Sequence, residues 1–229
     1  MFKFESEAEM TKPKTFGTHR FYVNAGARRR AGLLLAAMLA ACVNGKPLPI
    51  SLAYTPEQTV VGVSGAQFVY VDVTVNDKRS AKETVGEFSS DVATRPIVTH
   101  DDLTKLVKSA LESELRNRGF ELGAGNAVVV VDLNRIEVKR TVKAGSWANI
   151  STPFLEISTQ AMAIMNVLVK PKTGEVLYSK QIIGKASFTG TQNETLSSGC
   201  QRALNYALDR LVRNQMAEPA FINALLATR

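Results

Sequence analysis

The sequence predicts an α+β domain in which two long helices cover one face of a mostly antiparallel sheet. Three observations indicate this fold class. Segments with valines at alternate positions predict strands in both halves of the chain, and two long segments have apolar residues at helical spacing. The last two predicted strands are joined by a segment too short for a parallel crossover, so they must be antiparallel. The expected architecture is a two-layer sandwich.

The first predicted element is a strand from Phe68 to Val75. Its valines stand at every second position, which is typical of a strand with one apolar face. Asp77 and Arg79 then fall in a predicted turn, where Asp77 is expected to satisfy backbone amides and Arg79 is free to pair or to meet a partner. Thr84 to Ser89 predict a short return strand.

A helix is predicted next, with Thr99 or Asp101 as its capping residue and Gly119 at its end. Acidic side chains at its start and basic side chains at its end favour the helix dipole. The apolar residues that predict its buried face are Leu103, Leu106, Val107, Ala110, Leu111 and Leu115.

Three further strands are predicted after this helix. The first runs from Ala127 to Val138, and a change of phase near Asn134 indicates a β-bulge. Residues 141 to 154 are expected to form a loop that contains Trp147, the only tryptophan. Ile157 to Val169 and Glu175 to Phe188 then predict an antiparallel pair.

The chain closes with a long amphipathic helix and a short terminal helix that begins at Glu218 and Pro219. Cys200 falls on the apolar face of the long helix, which favours a buried structural thiol. The residues that predict this face are Cys200, Ala203, Leu204, Ala207, Leu208, Leu211 and Met216.

The net charge of +7 is unevenly distributed. Residues 1 to 41 account for four of these charges, which leaves only three for the remainder. An excess of three over a domain of this size is ordinary, so the charge does not indicate a nucleic-acid partner.

Residues 28 to 41 have the parts of an export signal. The basic block Arg28-Arg29-Arg30 precedes an apolar run, and small residues stand at its end. The run is about half as long as the roughly 20 residues that a membrane-spanning helix needs. We therefore expect a signal segment and not a transmembrane anchor.

The signal ends in Leu39-Ala40-Ala41-Cys42, which resembles the lipobox of bacterial lipoproteins. The resemblance implies recognition through Leu39, Ala40 and Ala41, cleavage before Cys42, and acylation of Cys42 with chains such as palmitate. Because Val43 stands where an aspartate tends to retain a lipoprotein in the inner membrane, the outer membrane facing the periplasm is expected. Acylation would leave Cys200 without a disulfide partner.

These features divide the chain into a signal peptide (residues 1–41), a lipidated, Pro- and Gly-rich tether (42–66) and a single α+β domain (67–229). The segments VYVDVTVNDKR, ELRNRGF and VVVVDLNRI, together with the lipobox and the closing helix, resemble the YajG-like family of bacterial outer-membrane lipoproteins. That resemblance implies an α+β lipoprotein of the cell envelope with no assigned catalysis.

The residues favour binding over catalysis. We expect no catalytic site, cofactor or metal, because the common hydrolase and zinc motifs are absent from the sequence. The predicted function is that of an accessory subunit of an envelope complex, with an envelope protein as partner and the oligomeric state open. The alternative is an envelope hydrolase that uses His100 as general base, although a place at a helix start favours a capping or exposed role for this residue.

The candidate partner-binding residues are mostly basic. A run along one strand could meet an acidic partner or anionic headgroups, or it could be a charged edge strand that prevents aggregation. Trp147 could be an interface hot spot, or it could complete the core. The candidates are Arg79, Arg135, Lys139, Arg140, Lys143 and Trp147.

Overall fold

The computed structural model describes residues 45–56, 60–91, 93–144, 155–190 and 195–229. These parts of the chain form a mixed α+β fold of eight strands and three α-helices, and no helix among them is long and apolar enough to cross a membrane. The elements are β1 (Leu48–Ile50), β2 (Tyr70–Asp77), β3 (Thr84–Ser90), β4 (Thr94–Thr99), α1 (Leu103–Asn117), β5 (Glu121–Leu122), β6 (Ala127–Ala144), β7 (Leu155–Pro171), β8 (Tyr178–Gly190), α2 (Leu196–Met216) and α3 (Pro219–Leu226).

The long strand β6 organises the sheet. One of its edges pairs antiparallel with β7, which pairs antiparallel with β8 as predicted. Its other edge is shared by two parallel neighbours, with β2 along residues 127–133 and β3 along residues 138–142. β5 extends the sheet beside β2, while β4 and then β1 extend it beside β3.

The predicted bulge in β6 is confirmed. The register with β7 shifts between Leu133 and Arg135, so the buried positions change from odd to even numbers. Leu133 faces the core before the bulge, and Ile136 and Val138 face it afterwards. The bulge therefore turns Arg135 and its alternate neighbours toward the other side of the sheet.

The core forms between the sheet and the helices. The alternating valines of β2 and the predicted apolar faces of α1 and α2 are buried in one cluster. The backbones of α2 and β8 approach closely at Gly184, where a Cβ atom would lie 2.0 Å from the Ala207 carbonyl oxygen and 2.5 Å from the Leu211 nitrogen. Only glycine fits this contact, which fixes how α2 lies on β8.

Several predicted boundaries need correction. Residues 94–99 form β4, although no strand was predicted there, and residues 141–144 belong to β6 and not to a loop. The cap of α1 is Asp102, whose carboxylate accepts hydrogen bonds from the Thr104 and Lys105 amides, each at 3.1 Å. Asp101, one of the two predicted caps, instead bonds residues outside the helix.

The predicted tether over residues 42–66 is wrong for the stretch that includes β1 and Leu52. β1 pairs with β4, and the Ile50 and Leu52 side chains are buried. The Leu52 amide donates to the Asp101 carboxylate at 2.6 Å. Part of the predicted tether therefore belongs to the folded domain.

The next residues continue across both long helices, and we call residues 52–55 the strap. The amides of Ala53 and Thr55 donate to Asn205 and Asp209, which are one turn apart on α2. The Tyr54 hydroxyl donates at 2.7 Å to Glu114 of α1, whose carboxylate is fully buried. Burial and this bond to Glu114 raise the pKa of Tyr54 far above its usual range.

We expect Gly184→Ala to lower the free energy of unfolding by at least about 2 kcal/mol, because the added methyl group would overlap backbone atoms that cannot move without shifting α2. Chemical denaturation measures this change. Gly62→Ala is the matched control, since the nearest atom to a Cβ there is 4.0 Å away. Equal stability of the two variants would contradict the close approach of α2 and β8.

Candidate partner-binding site

Three of the predicted basic residues lie together in an open groove of about 450 Å³ between β3 and β6, which we call the β3–β6 groove. Arg79, in the connection between β2 and β3, lines the groove together with Arg135 and Lys139 of β6. Its other polar lining residues are Ser80, Thr84, Glu87, Asn134 and Glu137. Most of the lining residues are polar or charged, which suits a polar or acidic segment of a partner.

Arg79 is held rigidly in this groove. Its Nε and one terminal nitrogen bond the two carboxylate oxygens of Asp77 at 3.0 and 2.9 Å, and that terminal nitrogen also donates to the Lys82 carbonyl at 2.6 Å. The Asp77 carboxylate also accepts from the Arg79 amide at 3.0 Å, as the turn prediction anticipated. The second terminal nitrogen of Arg79 is buried and has no hydrogen-bond partner among the described residues.

The charge on Asp77 is stabilised by the same contacts. Desolvation raises the pKa of this carboxyl, but the side-chain and backbone hydrogen bonds from Arg79 and the charge of Arg79 outweigh it, so the pKa lies below its usual value. Because both side chains are mostly buried, the pair is shielded from salt more than a surface ion pair would be.

The β6 side of the groove depends on the bulge. After the shift at residues 133–135, the side chains of Arg135, Glu137 and Lys139 share the face opposite the core. Arg135 and Glu137 form an ion pair at 2.5 Å, with both side chains substantially exposed. Lys139 is exposed and forms no ion pair with any residue that the structure describes. Lys139 is thus the groove cation whose charge is most open to a partner.

The predicted basic run needs correction at Arg140. Its side chain is only 1% exposed and lies beside the buried Cys200, and none of its three guanidinium nitrogens has a hydrogen-bond partner in the described parts of the chain. Desolvation raises the pKa of the Cys200 thiol to about 11, although the nearby charge of Arg140 opposes the rise. Cys200 is buried as predicted, and Arg140 belongs to the interior, not to the exposed run.

The remaining candidates are separate from the groove or outside the described residues. Lys143 is exposed near the end of β6. The β6 strand has neighbours on both edges, so the alternative interpretation as a charged edge strand is wrong. The structure does not describe the candidates Trp147, Leu39, Ala40, Ala41 and Cys42.

His100 is exposed and lines a different recess, next to Asp101 and Asp102. Its side chain forms no hydrogen bond with the residues that the structure describes. The described residues also contain no group of three or more histidine, cysteine, aspartate or glutamate side chains placed to hold a metal ion.

Sequence reasoning missed the residues on the far side of the groove. Ser80, Thr84 and Glu87 became part of it because β3 runs parallel to β6 with Glu87 opposite Lys139. Pairing between residues 52 positions apart, such as Glu87 and Lys139, leaves no local signal in the sequence. The change of hydrophobic phase near Asn134 was the one sequence signal that this part of β6 contains an irregularity.

Comparison with known families identifies the kind of protein. A family model described as "uncharacterized lipoprotein" matches residues 56–226, about three quarters of the chain. The chain belongs to this family. The lipoprotein family predicted from the sequence motifs is therefore confirmed, and membership indicates association with a membrane. No curated protein matched the chain.

Solved structures of bacterial proteins are similar to this chain at low sequence identity. A Xanthomonas campestris protein is 12% identical, with a TM-score of 0.48 over 79% of this chain and 96% of that chain. An Acinetobacter baumannii minor lipoprotein is 10% identical, with a TM-score of 0.39 over 68% and 95%. A Helicobacter pylori homolog of neuraminyllactose-binding hemagglutinin is also 10% identical, with a TM-score of 0.39 over 79% and 97%.

We expect Asp77→Asn to destabilise the lipoprotein by about 1–3 kcal/mol at pH 7, because it removes the charge that pairs with buried Arg79. The folded pKa of Asp77 is depressed, so the pair stabilises the fold above the unfolded pKa of about 3.9 and loses its effect as the pH falls through the folded pKa. The difference from wild type in denaturant titrations should therefore shrink below about pH 4.

Asp72→Asn serves as the control for that measurement, since Asp72 is exposed on the polar side of β2. A difference between wild type and Asp77→Asn that stays constant from pH 7 to pH 2, or that matches the Asp72 control at every pH, would contradict the role given to the Asp77–Arg79 pair.

Proposed function

We propose that this chain is a lipid-anchored lipoprotein of the bacterial outer membrane that faces the periplasm and binds an envelope protein as a non-catalytic accessory subunit. Membership of a lipoprotein family supports the anchored state. The sequence Leu39-Ala40-Ala41-Cys42 supplies the site, with Cys42 as the acylated residue, and Val43 favours the outer membrane. Acyl chains that each bury many methylene groups would make the attachment effectively permanent.

The proposed architecture is a two-layer sandwich, with α1 and α2 on one face of the sheet and a partner-binding face on the other. Support comes from the common apolar cluster, to which both helices and the alternate residues of β2, β6 and β7 contribute. The polar residues of β6 after the bulge point away from this cluster. A helix layer on one face leaves the other face open to a second protein.

The observation that carries the binding proposal is that Arg79, Arg135 and Lys139 all line the β3–β6 groove. Asp77 fixes the first of these cations, and Glu137 pairs with the second, which leaves Lys139 to attract an acidic group. The exposed ammonium of Lys139 in an open groove with mostly polar lining residues fits an acidic segment of a partner.

Anchoring would strengthen such binding. A lipid anchor confines the lipoprotein to the membrane plane, so a weak contact with another membrane protein would be populated at a much lower bulk concentration. This matches the modest size of the groove, which by itself suits a weak or transient contact. No step in this proposal requires chemistry at His100.

A photo-crosslinking residue in place of Ser80, at the rim of the groove, should give a discrete adduct with an envelope protein in cells. We expect Lys139→Glu to reduce that adduct at least about five-fold, because a like charge then meets the acidic segment. Acyl labelling in the same cells should mark the wild-type chain and not Cys42→Ser, which should also lose most of the adduct. Immunoblots and mass spectrometry of the adduct provide the readout.

Two controls accompany this experiment. Cys200→Ala retains the lipobox and should be acylated normally, and a crosslinking residue at exposed Lys172 lies outside the groove and should not capture the same protein. Acylation of Cys42→Ser would refute the anchor. An adduct that is unchanged by Lys139→Glu would refute the groove as the binding site, and loss of function in His100→Ala with normal folding would favour an enzyme.

A further inference from the structure

The domain begins almost immediately after the proposed acylation site. The Lys46 carbonyl accepts a hydrogen bond from Arg95 Nε at 2.8 Å, and β1 pairs with β4 from residue 48 onward. Only three residues separate Cys42 from Lys46. A fully extended chain of that length spans about 14 Å, so a lipid on Cys42 cannot lie farther than this from Lys46.

Strand registers show where Lys46 lies along the sheet. Arg95, which binds its carbonyl, stands opposite Phe88 of β3, and Phe88 stands opposite Arg140 of β6. From that level β6 continues for four more residues to Ala144, or about 13 Å. The reach of the anchor segment and the remaining length of β6 are therefore nearly equal.

We call this part of the molecule the anchor-side end, defined by Lys46, Arg95 and Lys143. Lys46 and Lys143 are exposed and Arg95 is partly exposed. The described acidic residues at the same end are Asp91, in the turn between β3 and β4, and Glu156 of β7, which stands opposite Lys143 in the β6–β7 register. The Asp91 side chain has an interaction of its own. Cations thus outnumber described acids at the end that the anchor holds nearest the lipid.

We propose that the anchor-side end contacts the anionic phospholipid surface through Lys46, Arg95 and Lys143. This inference rests on the proposed acylation of Cys42, because the short covalent reach is what presents this end to the membrane. Each cation near an anionic surface strengthens binding by about five-fold, and the three act over a surface that the anchor keeps in reach. The phosphate charges of anionic headgroups such as phosphatidylglycerol are the ligands that this end would meet.

The contact would also set the distance between the β3–β6 groove and the membrane surface. Arg135 is nine residues before the end of β6, which corresponds to about 30 Å along the strand. If the anchor-side end contacts the lipid, the β3–β6 groove would lie at about this distance from the lipid surface. The turn between β7 and β8 lies at the opposite end of the sheet, because Val169 pairs with Tyr178 there.

The test uses the acylated full chain in vesicles of phosphatidylethanolamine and phosphatidylglycerol that carry a headgroup-level fluorescence quencher. A dye is attached to Thr189→Cys or to Thr173→Cys, two exposed positions about 40 Å apart along the β7–β8 pair. Native Cys200 is buried, and Cys42 is acylated, so the introduced thiol takes the dye. We expect strong quenching at position 189 and at least about five-fold weaker quenching at position 173.

Charge reversal then tests the contact itself. The double variant Lys46→Glu/Lys143→Glu should lose most of the quenching at position 189, while Lys78→Glu/Lys172→Glu, which changes the net charge equally at exposed positions elsewhere, should keep it. Vesicles of phosphatidylcholine alone should reproduce the effect of the first double variant. Circular dichroism confirms that each variant is folded.

The outcomes separate this inference from the proposed function. Acyl labelling of the same sample is read first, and a chain without acyl label would overturn both proposals. In an acylated chain, equal quenching at positions 189 and 173, or quenching at 189 that is insensitive to Lys46→Glu/Lys143→Glu, would overturn only the lipid contact. The accessory-subunit proposal would then stand on the β3–β6 groove alone.

Discussion

The bonds that hold the strap across α1 and α2 are the constraint that makes residues 52–55 part of the folded domain. Asp101 accepts a hydrogen bond from the Leu52 amide, and Asn205 and Asp209 accept from the amides of Ala53 and Thr55. Glu114 is buried and receives both the Tyr54 hydroxyl and Arg118, each within 3.0 Å. Because these partners come from two different helices, the strap connects α1 with α2 and extends the folded part of the predicted tether beyond β1.

Such an arrangement changes what a lipid anchor does. A flexible tether of more than 20 residues would allow the domain to rotate freely and to move tens of ångströms away from the membrane. A segment fixed from Lys46 onward leaves only three residues between Cys42 and the domain, so the proposed acylation of Cys42 would determine orientation as well as location. A binding groove at a fixed height is useful only if its partner presents a matching segment at the same height.

The bulge in β6 gives the sheet its two different faces. Without the shift near Asn134, Lys139 would take the buried phase that Val138 and Arg140 occupy, and the β3–β6 groove would lose its exposed cation. The same shift places Arg140 beside Cys200 in the interior. One extra residue in a strand thus decides which basic side chains are available to a partner.

Local patterns in the sequence predicted the elements whose burial is periodic. The valines of β2, the apolar stripes of α1 and α2, the bulge in β6 and the antiparallel β7–β8 pair were all visible, because each follows from spacing within one segment. β4 was missed since Arg95 and Pro96 interrupt any alternation, and β1 was missed because three residues carry no period. The parallel pairing of β3 with β6, which builds the groove, depends on distant contacts. The burial of Arg140 could not be predicted from the basic composition of this segment. Its basic neighbours Lys139 and Lys143 are exposed, and composition alone does not distinguish them from Arg140.

Amide hydrogen exchange of the strap in the full-length chain tests the central claim most directly. If the strap is part of the fold, the amides of Leu52, Ala53 and Thr55 should exchange at least about 100-fold more slowly than the same sequence in an unstructured peptide. The amide of Val61, whose side chain is 86% exposed, provides an internal reference for fast exchange. Exchange of the three strap amides at the unstructured rate would show that the strap is not held across α1 and α2, and would contradict its place in the folded domain.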